Sequence, residues 1–281
     1  MVSRNTLARE FSLDGVGVHS GKPVRLALVP SEAGSIVFRR SDLGGRELPL
    51  AAAGFEALNS TTIVGERFKV RTVEHLLATL FANGVGSAVV VLDADEVPIM
   101  DGSARPFVRA LEEAGTCALG SPCRGLRISR PFAVFDGGAS IVAEPPSGEG
   151  ALDLSYAIEY PHPAIGRQSR SVRLTPGTFA REIAPARTFG FLADVEELRR
   201  RGLALGASYE NTVVLDAEAV INGPLRFPDE FVRHKLLDLA GDLALLGRPL
   251  AGRITAFKAG HRLHLEAVKF LLANPDFTEP F

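Results

Sequence analysis

One imidazole and two carboxylates recur at helical spacing in the last quarter of the sequence. His234, Asp238 and Asp242 are four residues apart and therefore share one face of a helix predicted over residues 229–243. The opposite face is apolar, and its residues are Val232, Leu236, Leu239, Ala240 and Leu243. A histidine and an aspartate one turn apart can both reach one metal ion, but they can also form a solvated ion pair. The helix alone leaves both interpretations open and slightly favours the ion pair.

A second histidine of interest lies in the first half of the chain, in a helix predicted over residues 72–82. His75 follows Glu74 and lies roughly opposite the apolar stripe of that helix, so its imidazole does not fill the core. Taken alone, such a pair is usually on the surface. Together with His234 and Asp238, however, His75 completes a set of three ligands that leaves zinc a fourth position for water. Glu74 could then take a proton from that water in the hydrolysis of an amide or an ester.

The remaining histidines carry weaker signals. His261 follows a loop glycine and could be a structural histidine or a general acid, which Asp242 could orient and keep protonated. His19 lies in a glycine-rich turn, for which a tight hairpin is the plain explanation. That turn lacks the strand, Gly-Lys-Ser/Thr and helix of a phosphate-binding loop. His162 and His264 have no companion residues, which predicts structural or exposed positions.

Composition limits the class of protein. The chain has 281 residues, of which 46% are hydrophobic and 23% charged, so it can bury the core of one large domain or two ordinary ones. Its formal charge of -2, with acids and bases mixed, argues against nucleic acid as a partner. Cys117 and Cys123 predict free thiols in a reducing compartment. No apolar segment follows the N-terminus, and the apolar run over residues 88–92 is too short for a bilayer, so we expect a cytosolic protein.

The predicted elements place strands before helices in both halves of the chain. Strands are predicted at residues 25–29, 36–40, 88–92, 126–128, 139–144 and 152–160. Helices are predicted at residues 72–82, 106–114, 178–183, 195–202, 229–243 and 264–273. A linker predicted at residues 120–125 would divide the chain into domains of residues 1–121 and 126–281. The order of elements favours α+β layers over a parallel Rossmann sheet.

Six short segments together resemble one family, the zinc-dependent UDP-3-O-acyl-N-acetylglucosamine deacetylases of lipid A synthesis. They occur in the family's order and are Thr-Val-Glu-His at 72–75, Pro-Ile-Met-Asp-Gly-Ser at 98–103, Ala-Arg-Thr-Phe-Gly-Phe at 186–191, Phe-Val-Arg-His-Lys at 231–235, Asp-Leu-Ala-Gly-Asp-Leu at 238–243 and Gly-His at 260–261. The resemblance extends from residue 4 to about residue 272. It implies two α+β domains of similar topology, each with an insert, and a zinc site between them.

The resemblance also implies a role for each polar residue of these segments. His75, His234 and Asp238 would bind one Zn²⁺ per chain, although such a ligand set could hold Fe²⁺ in the cell. The implied catalytic residues are Glu74 as general base, His261 as general acid for the leaving amine, Asp242 holding His261, Thr188 at the oxyanion and Lys235 near the polar groups of the substrate. The implied reaction is hydrolysis of the acetamide of UDP-3-O-acyl-N-acetylglucosamine.

Substrate contacts are expected on both sides of the reacting group. The expected contacts at the nucleotide-sugar end are Phe189, Tyr160, Lys258 and His19. An insert at about residues 192–214 would form a hydrophobic passage for the acyl chain, lined by Val195, Leu198, Leu203 and Val214. Some relatives carry a lysine near the turn at residues 136–139, a possible contact with the diphosphate that this chain lacks.

The resemblance implies a cytoplasmic enzyme of a bacterium of the Gram-negative type, and we expect a monomer without a transmembrane segment. Two alternatives stay open. A related zinc hydrolase acting on another acylated amine would keep every catalytic residue and differ only in the insert. A non-catalytic nucleotide-sugar-binding protein is disfavoured because it would need neither Glu74 nor His261.

Overall fold

The computed structural model describes residues 2–148 and 150–281, and the first half of the chain combines three sheets with two helices. Its elements in chain order are β1 (Val2–Leu7), β2 (Phe11–Val16), β3 (Pro23–Pro30), β4 (Ile36–Arg40), β5 (Arg46–Pro49), β6 (Gly54–Ala57), β7 (Thr61–Val64), β8 (Lys69–Val70), α1 (Glu74–Ala82), β9 (Ala88–Leu92), α2 (Arg105–Ala114) and β10 (Thr116–Cys123). Strands β2-β3-β9-β4-β5 form a five-stranded sheet, β6-β7-β8 a three-stranded sheet, and β1 pairs with β10.

The second half is organised around one larger sheet. Its elements are β11 (Leu126–Ile128), β12 (Phe132–Asp136), β13 (Ala139–Glu144), β14 (Leu152–Glu159), β15 (Arg167–Arg173), α3 (Pro176–Thr178), β16 (Phe189–Phe191), α4 (Val195–Arg200), β17 (Val213–Leu215), α5 (Glu230–Leu243), β18 (Leu250–Phe257), α6 (His261–Ala273) and β19 (Thr278–Pro280). Strand β18 lies between β13, to which it is antiparallel, and β14, to which it is parallel. Strands β16 and β17 form a small parallel pair.

Helices α1 and α5 pack against each other at the centre of the molecule. Every residue of α1 except Phe81 is buried, and so is every residue of α5 except Lys235. A helix that is buried on all sides normally carries apolar residues all round. These two instead carry ionisable residues into the interior, which is costly unless partners meet them there. The polar face of α5 is therefore an interior surface and not a solvated one.

The backbones of the two helices touch at Gly241. A Cβ atom at this position would lie 2.1 Å from the carbonyl oxygen of Glu74 and 2.8 Å from its Cα. No side chain fits into such a gap, so only glycine allows the helices to approach this closely. The contact brings the first turn of α1 against the last turn of α5.

The structure confirms the predicted α+β class and most predicted elements. The strands predicted at residues 36–40, 88–92, 126–128 and 139–144 have the predicted bounds. Cys117 and Cys123 are free, as predicted. In the part of the chain that the structure describes, no helix is long and apolar enough to cross a membrane. The division into two domains stays a prediction.

Three local predictions were wrong. Residues 120–125 were predicted as a linker, but β10 continues to Cys123 because it pairs with β1, a partner more than 100 residues away that local turn signals do not reveal. Helix α6 begins at His261, three residues before the predicted start. Residues 178–183 were predicted as an α-helix, but a single α-turn, α3, leads into a π-helix at Phe179–Ile183.

Gly241→Ala should destabilise the fold. Relative to glycine, alanine favours a helix interior by about 1 kcal/mol. Here, however, its methyl group meets the Glu74 backbone, and overpacking of this kind costs about 1–3 kcal/mol. We expect a lower free energy of unfolding by denaturant titration. Gly138→Ala, where nothing lies within 4 Å of the added Cβ, is the matched control and should leave stability nearly unchanged. A Gly241→Ala variant as stable as the wild type would contradict the close helix contact.

Candidate active site

Three potential metal ligands meet where α1 crosses α5. His75 comes from the first turn of α1, and His234 and Asp238 come from successive turns of α5; their ligand atoms all lie within 4.8 Å of one another. Asp238 Oδ1 is 3.4 Å from His234 Nε2 and 3.8 Å from His75 Nε2. All three side chains are almost completely buried. The structure thus brings together the set that the sequence proposed.

The protonation states of these potential ligands are suited to binding a cation. His234 Nδ1–H donates to the carbonyl oxygen of Ala186 at 3.1 Å, so in the neutral ring Nε2 carries a lone pair toward Asp238. Burial lowers the pKa of His234, and burial together with the nearby His234 lowers the pKa of His75 to about 3. The Nε2 lone pair of neutral His234 therefore faces a carboxylate oxygen of Asp238. Acceptors at this separation repel each other unless a cation lies between them, and a divalent metal ion satisfies this arrangement.

Asp238 retains its negative charge despite its burial. Burial alone would raise the pKa of its carboxyl group, but the ammonium group of Lys235 and the imidazolium of His261 hold that pKa far below its usual range. Lys235 Nζ donates to Asp238 Oδ2 at 2.7 Å. Lys235 is also the one residue of α5 that reaches the cavity surface from a partly exposed position.

Glu74 immediately precedes His75 and lies in the same dry environment. Its Oε2 accepts the backbone N–H of Thr61 at 3.1 Å, and its Oε1 lies 3.8 Å from His261 Nε2. Burial raises the pKa of Glu74 to about 8. A divalent cation next to it would lower this pKa again, because positive charge favours the carboxylate. Glu74 therefore lies close to the potential metal ligands, in a position where it can act as an acid–base group.

His261 is the neighbour of Glu74 and is positively charged when protonated. Burial alone would lower the pKa of its imidazole, but the carboxylates of Asp242 and Asp238 outweigh burial and raise that pKa to about 9. His261 Nδ1 donates to Asp242 Oδ2 at 2.7 Å, which leaves Nε2 directed toward Glu74. An imidazolium held in this way can donate a proton from Nε2.

Two residues around Asp242 were not recognised from the sequence. The hydroxyl of Thr61 donates to Asp242 Oδ1, and His264 Nδ1 lies 2.7 Å from Asp242 Oδ2. His264 was predicted to be structural or exposed and without companions, yet it is fully buried against Asp242. The signal was its spacing of three from His261, which places both on one helix face once the helix starts at His261. Thr61 carries no local sequence signal of this contact.

One cavity of about 980 Å³ joins these groups to an apolar wall. The predicted site residues that line it are Glu74, His75, Thr188, His234, Lys235, Asp238, His261, His19, Tyr160, Phe189, Val195, Leu198 and Val214. Asp242 lies behind His261. The rings of Tyr160 and Phe189 are edge to face, with centroids 5.8 Å apart. A polar end next to an apolar wall suits an amphiphilic ligand.

Two predicted contact residues lie outside this lining. Leu203 is buried and lines a second cavity of about 410 Å³ together with Arg40 and Phe68. Lys258 is on the surface, where its ammonium group donates to Glu159 at 3.1 Å. Their predicted roles in substrate binding stay predictions.

The sequence is similar over almost its full length to one family of known proteins. Residues 4–273 match the model of the LpxC family, UDP-3-O-acyl N-acetylglycosamine deacetylase. A protein of Citrifermentans bemidjiense is 43% identical over 281 residues, which cover 98% of this chain and 91% of the relative. One of Pseudomonas entomophila is 43% identical over 285 residues (99% and 93%), and one of Thermodesulfovibrio yellowstonii is 40% identical over 276 residues (97% and 92%). All three relatives are named UDP-3-O-acyl-N-acetylglucosamine deacetylase.

His234→Ala should abolish metal binding. The variant removes one of three ligands and leaves a set too small for a tight site, so metal content should fall from about one ion per chain to a small fraction of that. Elemental analysis of the purified protein measures this directly. His162→Ala is the control, because it removes a buried imidazole that bonds to the Asp216 carbonyl, away from the cluster. Undiminished metal content in His234→Ala would rule out this ligand set.

Proposed function

The chain belongs to the LpxC family of UDP-3-O-acyl N-acetylglycosamine deacetylases, and we propose that it hydrolyses the acetamide of UDP-3-O-acyl-N-acetylglucosamine. The products are UDP-3-O-acyl-glucosamine and acetate, in the synthesis of lipid A. The observation that supports this proposal is the meeting of a His-His-Asp set with Glu74 and His261 at the polar end of a partly apolar cavity. We place the reaction in the cytoplasm of a bacterium of the Gram-negative type and take the monomer as the working form.

The proposed metal is one Zn²⁺ per chain, held by His75, His234 and Asp238. Two neutral imidazoles and a carboxylate form a typical ligand set of catalytic zinc, although Fe²⁺ would also fit these donors. When bound, Zn²⁺ supplies Lewis-acid polarisation of the acetamide carbonyl and makes water more acidic.

Glu74 is proposed to accept the proton of the attacking water. The Thr61 N–H already occupies Oε2, so Oε1, which faces His261, is the oxygen available for that proton. The water oxygen forms a bond to the carbonyl carbon as its proton moves to Glu74. Burial favours the protonated product of this step, since the neutral carboxylic acid is the form that a dry site stabilises.

His261 is proposed to protonate the departing nitrogen. Its Nε2–H is the mobile proton because Nδ1–H is engaged with Asp242. As the C–N bond breaks, that proton moves to the amine nitrogen, and the acetyl group, now bonded to the oxygen of the water, leaves as acetate. Asp242 remains charged throughout and stabilises the imidazolium before the transfer.

Thr188 and Lys235 are proposed to act on the polar atoms of the substrate. Thr188 precedes β16 on the cavity wall, and its backbone is held at both ends, by Gly102 and by Val213. We assign its hydroxyl to the developing oxyanion. Lys235 presents its ammonium group at the cavity surface next to Asp238 and would contact the sugar or its acyl carbonyl.

The acyl chain is proposed to lie along the insert at residues 192–214. Val195, Leu198 and Val214 line the cavity from this insert. Leu203 lies behind this wall, in the lining of the second cavity. At the other end, Phe189 and Tyr160 would contact the nucleotide sugar, with His19 on the wall and Lys258 on the nearby surface. This arrangement favours an acylated nucleotide sugar over a smaller acetylated amine.

Glu74→Gln should keep the metal and lose the reaction. The amide can still accept the Thr61 N–H but cannot take up the proton, and loss of a general base costs about 10²–10⁴-fold in turnover. Release of acetate from the acylated nucleotide sugar and metal content should be measured in parallel. Glu144→Gln, at a surface carboxylate paired with Arg253, is the control and should be fully active. Wild-type turnover in Glu74→Gln would refute the assignment of the base.

Leu198→Phe should narrow the proposed passage. We expect kcat/KM for a substrate with a long acyl chain to fall about 10-fold or more, while a non-acylated nucleotide sugar is turned over as by the wild type. Leu205→Phe is a matched control, because Leu205 belongs to the same insert but is half exposed and is not part of the cavity lining. Equal losses for long-chain and non-acylated substrates would contradict a passage at Leu198.

A further inference from the structure

A further imidazole is buried behind His261 and takes no part in the steps above. His264 is fully buried one turn further along α6, and its Nδ1 lies 2.7 Å from Asp242 Oδ2. The same oxygen is 2.7 Å from His261 Nδ1. A carboxylate can only accept hydrogen bonds, so both rings direct an Nδ1–H to one oxygen atom. The tautomer of His264 is thereby fixed.

The Asp242 carboxylate is held on both of its oxygens. Thr61 donates its hydroxyl to Oδ1, and the two imidazoles share Oδ2. Thr61 comes from β7, whereas both imidazoles come from the first turns of α6, so the carboxylate cannot rotate without breaking bonds to two elements. If His264 were removed, Asp242 Oδ2 would keep only one of these two hydrogen bonds, the one from His261.

His264 is itself held from its far side. Its Nε2 lies 3.0 Å from the hydroxyl oxygen of Tyr156. That hydroxyl has one proton, which it can donate to the Nε2 lone pair or to the carbonyl of Ala259 at 2.7 Å. Tyr156 is fully buried in β14, which pairs with β18 in the large sheet. Ala259 precedes His261 by two residues. A continuous set of bonds therefore runs from the sheet through Tyr156, His264 and Asp242 to His261.

We infer that His264, fixed by Tyr156, is a positioning residue that holds Asp242 in the orientation required by the acid His261. This inference rests on the proposed deacetylation. Its physical basis is that a displacement of about 1 Å at a catalytic group can cost on the order of 10²-fold in rate. The hydrogen bonds of His264 go to Asp242 and Tyr156 and not to the three metal ligands. Its loss should therefore impair the reaction and leave metal content intact.

The test compares His264→Leu with His264→Asn on the acylated nucleotide sugar. Leucine removes the donor, and kcat should fall about 10–100-fold, as for other residues that orient a catalytic group. KM should stay within about threefold, because the substrate does not contact a buried residue behind the acid. Asparagine can place an N–H near the position of Nδ1 and should recover most of kcat. Metal content should equal that of the wild type in both variants.

Leu271→Ala is the matched control for packing. It removes buried side-chain volume from the same helix without touching the hydrogen bonds of Asp242. It should lower the melting temperature but leave kcat unchanged well below that temperature. Tyr156→Phe is a second, milder variant in case His264→Leu fails to fold, and it should reduce kcat about 2–10-fold with unchanged KM.

The inference is overturned if His264→Leu has wild-type kcat, if His264→Asn is as impaired as His264→Leu, or if Leu271→Ala shows the same loss. Crystal structures of the two His264 variants give a readout that does not need turnover. The bond from Asp242 to His261 should be lost or lengthened with leucine and retained near its present length with asparagine. An unchanged bond with leucine also overturns the inference. Absence of deacetylation by the wild type would instead refute the proposed function and leave this structural comparison valid.

Discussion

The direct contact between the backbones of α1 and α5 determines where the reactive side chains stand. At Gly241 the two helices are separated by no side chain, and the carbonyl of Glu74 fills the space that a Cβ would need. On α1 His75 directly follows the contact residue Glu74, and on α5 Asp238 lies about 4.5 Å along the helix axis from Gly241, so the contact brings both side chains to where one ion could bind them. His75 enters from α1, and Asp238 enters from α5 one turn before the contact. The candidate metal site is therefore a consequence of how the two halves of the chain pack.

Burial where α1 crosses α5 helps to determine which ionisable groups are neutral and which are charged. Desolvation disfavours charge of either sign, so it raises the pKa of Glu74 and lowers the pKa of His75. Asp238 and Asp242 remain anionic because cations and hydrogen-bond donors surround them. The outcome is that the Nε2 lone pair of neutral His234 lies 3.4 Å from a charged carboxylate oxygen of Asp238. Protein groups alone leave these neighbouring acceptors poorly satisfied, whereas a divalent cation bound between them satisfies both.

The sequence predicted the helices and the ligand set better than the connections between them. Hydrophobic periodicity identified the polar face of α5. It could not show whether that face meets solvent or a second helix, because polar residues can lie against either. His75 and the family motifs supplied that information. Long-range pairing was invisible, and for that reason residues 120–125 were misread as a linker. Thr61 was missed since a threonine in a short strand carries no local sign of the carboxylate it will meet.

The reactive end of the cavity and its apolar wall are also joined by hydrogen bonds. Glu96, which is fully buried, accepts the backbone N–H groups of His19 and Ser20 and the hydroxyl of Thr72, two residues before Glu74. The loop at His19 in turn bonds to the insert, where the N–H of Leu205 donates to the His19 carbonyl at 3.2 Å. One carboxylate thus ties the start of α1 to a loop that holds the insert. Because the two ends are connected in this way, an acyl chain lying against the insert would fix the distance of the acetamide from Glu74, and binding at one end would contribute to orientation at the other.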